Sequence, residues 1–123
     1  MNTSARVLLV DDDAGIRETM KDILAFSNVQ LVTACNGHDA IELASNNEFD
    51  IALIDLRMSG IDGIETFKRI RKIKPTFKAF LVTAYADETQ AKEAIKEGFS
   101  GIYYKPVDIP RIITMLTKYE NER

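Results

Sequence analysis

The sequence predicts an α/β protein: a doubly wound, five-stranded parallel sheet in the order 2-1-3-4-5, covered by five helices, in one domain spanning residues 1–123. Three observations carry this expectation. Short apolar runs without polar alternation recur along the chain, the pattern of strands buried on both faces. The segments between them place apolar residues at helical spacing. The two kinds of segment alternate strictly with short connections, and right-handed crossovers then put helices on both sides of the sheet.

The first run is Val7-Leu8-Leu9-Val10, followed by Ile16, Met20, Ile23 and Leu24 on one helical face. Val29-Gln30-Leu31-Val32 is the weakest run and is expected at a sheet edge. Ala40, Ile41 and Ala44 support a second helix beginning near Asn36-Gly37. Ile51-Ala52-Leu53-Ile54 is the third strand, and Ile64, Phe67 and Ile70 mark a helix from near Asp62. Phe80-Leu81-Val82 leads into a helix carrying Ala91, Ala94 and Ile95, with Gly98 placed as its stop. Ile102-Tyr103-Tyr104 is the fifth strand, and Ile109, Ile112, Ile113 and Leu116 face the core from the last helix. Tyr119–Arg123 reads as a fraying end.

Composition narrows the function classes. Hydrophobic residues at 46% and charged residues at 28% exclude a disordered or fibrous chain. A net charge of -3 argues against direct nucleic-acid binding, for which a domain of this size is usually basic. The single cysteine, Cys35, rules out an internal disulfide and suits a reducing compartment. The apolar runs are far shorter than the roughly 20 residues of a membrane helix, and residues 1–6 lack a signal-peptide pattern. A cytoplasmic domain with no membrane partner is expected.

The functional signal lies in which polar residues end the strands. The first strand runs into Asp11-Asp12-Asp13, the third into Asp55, the fourth into Thr83 and the fifth into Lys105-Pro106. In a parallel sheet these share the carboxyl edge, where ligands bind beside the point at which strand order reverses. Converging carboxylates repel unless a cation offsets them. Oxygen ligands without a Cys or His cluster suit Mg²⁺ better than zinc. Asp13 alone reads as a helix cap, but capping does not account for Asp55 on a neighbouring strand. A buried carboxylate beside a metal can ligate it or attack phosphorus to form an acyl phosphate. A hydroxyl and a lysine nearby complete what phosphoryl transfer requires. His38, at the start of the second helix, and Cys35 have no such company and read as surface residues.

From about Ala5 to about Tyr119 the chain resembles the two-component response-regulator receiver domains, the family of the chemotaxis regulator CheY. Val10-Asp11-Asp12-Asp13, Ile54-Asp55-Leu56-Arg57-Met58-Ser59-Gly60, Asp62-Gly63, Val82-Thr83-Ala84 and Lys105-Pro106 carry the likeness. The resemblance implies a flavodoxin-like, CheY-like three-layer sandwich. It implies Asp55 as phosphoacceptor, served by a sensor histidine kinase or histidine phosphotransfer protein and signalling to a downstream output protein or domain. Asp12 and Asp55 would ligate Mg²⁺ directly, Asp11 through water, and Arg57 through its backbone carbonyl. Thr83 and Lys105 would each bond a phosphoryl oxygen, and Lys105-Pro106 would be cis. Gly63 would be a backbone-permissive position. The last helix-strand-helix unit would form the output face.

Ile102 departs from the family pattern, which has an aromatic residue three positions before the lysine. Tyr104 falls on the same face by strand alternation. A scaffold receiver that is never phosphorylated and a Mg²⁺-dependent phosphatase are the competing readings. The phosphatase needs a second acid two residues after its nucleophile, where this chain has Arg57. Arg57 and Tyr85, two residues after Asp55 and Thr83, are bulky enough to shield a phosphoryl group from water. The phosphoryl adduct of the wild type is therefore expected to outlive that of an Arg57→Asn, Tyr85→Ala variant, followed by mass spectrometry; an equal or shorter lifetime refutes the shielding.

Overall fold

A computed structural model describes residues 4–84 and 86–119. The apolar runs become strands and the amphipathic segments helices, in the predicted alternation. They are β1 (Ala5–Val10), α1 (Ala14–Leu24), β2 (Val29–Ala34), α2 (Gly37–Asn46), β3 (Ile51–Asp55), α3 (Gly63–Ile73), β4 (Ala79–Thr83), α4 (Glu88–Glu97), β5 (Gly101–Tyr104) and α5 (Ile109–Thr117). The strands pair in parallel in the order β2-β1-β3-β4-β5. Of the expected fraying end, residues 120–123 lie outside the described residues, while the Tyr119 N–H donates to the Leu116 carbonyl at 3.1 Å.

Because side chains alternate across a strand, each strand feeds two cores. Val7, Leu9, Ile51, Leu53 and Val82 point to one side, where Met20 and Leu24 of α1 and Ile112 and Leu116 of α5 cover them. Leu8, Val10, Ala52, Ile54 and Leu81 point to the other, against Ala40 and Ala44 of α2, Phe67 and Ile70 of α3 and Ala94 of α4. The result is a three-layer sandwich. The weak run Val29–Val32 does lie at an edge, with Ala34 the buried residue of β2. The second core centres on Phe67, whose ring stacks on Phe99 with centroids 4.2 Å apart and tilts toward Phe77 at 6.2 Å.

Each helix starts with an acid or amide whose side chain accepts a hydrogen bond from the first turn: Asp13, Asn36, Asp62, Asp87 and Asp108. Such a cap is worth about 1 kcal/mol. Gly98 stops α4, as expected, in the left-handed region at φ +110°. All five helix N-termini face the carboxyl edge of the sheet, so the caps lie around the same rim as the strand-end residues.

The fully buried Phe67 anchors the core beneath α3 and α4. Phe67→Ala should lower unfolding free energy by about 3–5 kcal/mol, read from urea unfolding. A loss under about 1 kcal/mol would show that this cluster does not hold the two helices down.

Candidate functional site

Strand geometry delivers the site. β1 ends at Val10, and the ladder continues one residue further through the Asp11 N–H, which donates to the Ala34 carbonyl at 3.1 Å. On β3, Asp55 lies in register with Val82, so Thr83 sits one residue beyond it on the adjacent strand. The Lys105 N–H donates to the Thr83 carbonyl at 2.8 Å and extends the β4–β5 pairing past Tyr104. Asp11, Asp55 and Thr83 are buried, and Asp12 is exposed.

One carboxylate oxygen from each of Asp11, Asp12 and Asp55 lies within 4.8 Å of the other two. Lys105 Nζ stands 2.9 Å from Asp11 Oδ2 and 3.4 Å from Asp55 Oδ2. One ammonium against three carboxylates leaves the cluster anionic. Burial pushes the Asp55 carboxyl above its ordinary pKa; the charge on Asp11 adds to this and Lys105 works against it. Burial also works against the Lys105 ammonium. Its hydrogen bond to Asp11 and the charges of Asp11 and Asp55 outweigh that penalty and raise its pKa.

The individual carboxylates have different commitments. Asp11 Oδ1 accepts from the Asp13 N–H at 2.9 Å while Oδ2 takes Lys105, so both oxygens already carry a hydrogen bond. Asp12 Oδ2 accepts from the Ser59 N–H at 3.2 Å, tying the acidic loop to the segment after β3. Asp13 stands apart: its Oδ1 takes the N–H groups of Gly15 at 2.8 Å and Ile16 at 3.3 Å as the cap of α1. The capping reading thus holds for Asp13 and fails for the other two.

Arg57 follows Asp55 by two residues with an exposed side chain. Tyr85, expected to flank the site with it, lies outside the described residues. Lys105-Pro106 is cis. Gly63, expected as a backbone-permissive position, opens α3 and lies outside the left-handed region, which among the described glycines holds Gly60 and Gly98. Its constraint is space, because a Cβ at position 63 would sit 2.2 Å from the Asp55 carbonyl oxygen. Ile102 packs against the α2–α3–α4 core, whereas Tyr104 is 52% exposed in register with Thr83. Tyr103 faces the opposite core, where its ring lies 5.1 Å from that of Phe80. His38 and Cys35 are exposed and take no part in the acidic cluster.

Two contributors escaped the sequence reading. Ser59 supplies the backbone donor to Asp12, and Arg17 Nη1 donates to the Asp11 carbonyl at 2.7 Å. Backbone donors leave no residue signature. Arg17 carried a weak one, a cation in the first turn of a helix, where the macrodipole disfavours it. A cavity of about 460 Å³ between α1 and α5, walled by Leu9, Ile16, Met20, Leu53 and Ile109, reaches the site beside Lys105.

An open parallel sheet with acids just after β1 and at the end of β3, a hydroxyl at the end of β4 and a lysine after β5 is the arrangement of the receiver class of α/β domains. The chain belongs to the response regulator receiver domain family, whose model matches residues 7–117. It is 31% identical to the sporulation initiation phosphotransferase F of Bacillus subtilis, covering 93% of this chain and 92% of that protein. It is 34% identical to the chemotaxis protein CheY of Thermotoga maritima, covering 92% and 95%. A cyclic di-GMP phosphodiesterase of the same organism matches at 35% identity over 90% of this chain, which spans 30% of that larger protein. A CheY-like receiver domain from Methanospirillum hungatei superposes with a TM-score of 0.86 at 26% identity, covering 95% and 97% of the two chains. The protein is thus a signalling domain of the two-component type. Domains of this family bind Mg²⁺ at an acidic pocket and interact with histidine kinases or phosphotransfer proteins and with output domains. Among the described residues, no helix is long and apolar enough to cross a membrane.

The raised pKa of Asp55 has a consequence for stability. A carboxyl whose folded-state pKa lies above its unfolded value destabilises the fold once ionised, and the penalty builds as pH rises through the folded-state pKa. Asp55→Asn should therefore raise the melting temperature at pH 7, with the gain shrinking as pH falls toward 4. A gain that is absent, or that grows on acidification, would contradict this sign.

Proposed function

We propose that the domain accepts a phosphoryl group on Asp55 from the phosphohistidine of a sensor histidine kinase or histidine phosphotransfer protein. Asp55 is the carboxylate at the end of a central strand, pressed between the acidic loop and Lys105, and that position carries the reading. One Asp55 oxygen attacks phosphorus. The new O–P bond forms as the P–N bond breaks, and the departing imidazole keeps the electron pair. Asp12, Asp55 and the Arg57 carbonyl would hold Mg²⁺, with Asp11 acting through water. The donor set fits: all are oxygens, and Asp11 already engages both of its own in hydrogen bonds. When bound, the ion supplies positive charge to the phosphoryl oxygens.

The chain's own residues do the rest. Lys105 exchanges part of its pairing with Asp11 and Asp55 for a phosphoryl oxygen, carrying a formed charge already at the site. The Thr83 hydroxyl donates to another oxygen, drawing the end of β4 inward. Because the Lys105 N–H holds the Thr83 carbonyl, the ends of β4 and β5 move together. The signal then reaches the α4–β5–α5 face, where an output protein or domain reads it. Residues 1–123 act as one receiver unit in the cytoplasm. The domain turns over no external substrate beyond its own phosphorylation and dephosphorylation.

Intact-mass spectrometry after incubation with acetyl phosphate tests the assignment. A single phosphoryl adduct is expected with Mg²⁺ and none with a chelator or in Asp55→Asn. An adduct that persists in Asp55→Asn would move the acceptor elsewhere, and no adduct under any condition would leave a scaffold receiver.

A further inference from the structure

The acidic loop between β1 and α1 holds three consecutive aspartates, and its shape decides where two of them point. The Asp11 N–H is fixed to Ala34 on β2, the Asp13 N–H to Asp11 Oδ1, and the Asp13 carboxylate to the first turn of α1. The peptide joining Asp11 to Asp12 remains, and its plane sets the relative direction of those two side chains. The carbonyl of that peptide accepts from Arg17 Nη1 at 2.7 Å, a short bond to a charged donor. Arg17 is well placed to fix it, since its own N–H donates to the Asp13 carbonyl at 3.1 Å and its backbone belongs to α1. Its side chain is half-buried, with Thr33, Cys35, Asp39 and Glu42 beside it in a groove along α2.

We infer that Arg17 is a positioning residue for divalent-cation binding: it clamps the Asp11–Asp12 peptide so that the two carboxylates converge with Asp55. The inference rests on the reading of this cluster as the metal site. Two effects of the guanidinium have opposite sign. As a clamp it pre-organises the ligands and strengthens cation binding. As a positive charge near an anionic cluster it repels the incoming cation and weakens binding. The bond is part-buried and made by a rigid fork, whereas the charge is partly exposed and screened by solvent and salt. The clamp therefore dominates, and removal of Arg17 costs affinity.

The test is isothermal titration of the unphosphorylated domain with Mg²⁺, alongside circular dichroism to check folding. Arg17→Ala should weaken Mg²⁺ binding about tenfold, the scale of losing one charge-assisted hydrogen bond. Arg17→Lys, which keeps the charge and a donor but loses the fork, should fall between Arg17→Ala and the wild type. Acetyl phosphate labelling of Arg17→Ala should be slow at low Mg²⁺ and recover at saturating Mg²⁺, a pattern that general loss of structure does not produce. Binding by Arg17→Ala as tight as or tighter than that of the wild type overturns the inference, since only the repulsive charge would then have been removed. Should Arg17→Ala misfold, Arg17→Lys decides by the same criterion. A wild type that takes up no Mg²⁺ overturns the metal reading itself, whereas normal wild-type binding with unaltered variants overturns the role of Arg17 alone.

Discussion

The ion pairs of Lys105 with Asp11 and Asp55 are the interaction on which the site depends. Without them, three carboxylates crowded at the end of a buried sheet would have to protonate, spread apart or expel one another into water. With them, Asp55 stays beneath the surface and yet remains short of full charge balance. That imbalance underlies the proposed function: a fully neutralised pocket would attract a further cation less, and an uncompensated one would cost more to bury. The arrangement also ties β5 to β1 across two intervening strands, so the charges brace the carboxyl edge of the sheet sideways.

The helices surround this edge with their N-termini, and each brings its own capping acid or amide. The rim is consequently rich in acidic side chains of two kinds. Asp13, Asp62, Asp87 and Asp108 are turned to backbone donors of their helices and are structural. Asp11, Asp12 and Asp55 converge on one another and are held by Lys105, Ser59 and the loop itself. Proximity to the edge does not separate the two groups; the hydrogen-bond partner does.

Much of this was legible in the sequence, because parallel sheets advertise themselves through continuous apolar runs and strand-end residues share an edge once the order is known. The elements, the edge position of β2, the cap at Asp13 and the stop at Gly98 follow from local rules that tertiary packing did not override. Gly63 was legible as a backbone-permissive position, but the close approach between α3 and the Asp55 carbonyl that constrains it is a three-dimensional fact with no local signal. The place of the half-buried Ile102 against the α2–α3–α4 core and of Tyr104 at the surface needed the helices to be placed first. Ser59 and Arg17 act on or through backbone atoms, which every residue possesses, so their partners could be identified only from coordinates.

The division of the apolar interior by the sheet has an evolutionary consequence. The residues under α1 and α5 and those under α2, α3 and α4 form separate groups with no member in common. Volume changes on one side are absorbed by neighbours on that side, and their energetic effects should add rather than interfere with changes on the other. The two surfaces built on these cores can therefore drift independently. The proposed α4–β5–α5 face draws on both, with α4 seated on one core and α5 on the other, so remodelling it would touch both groups, with the strand-end charges as the fixed point between them.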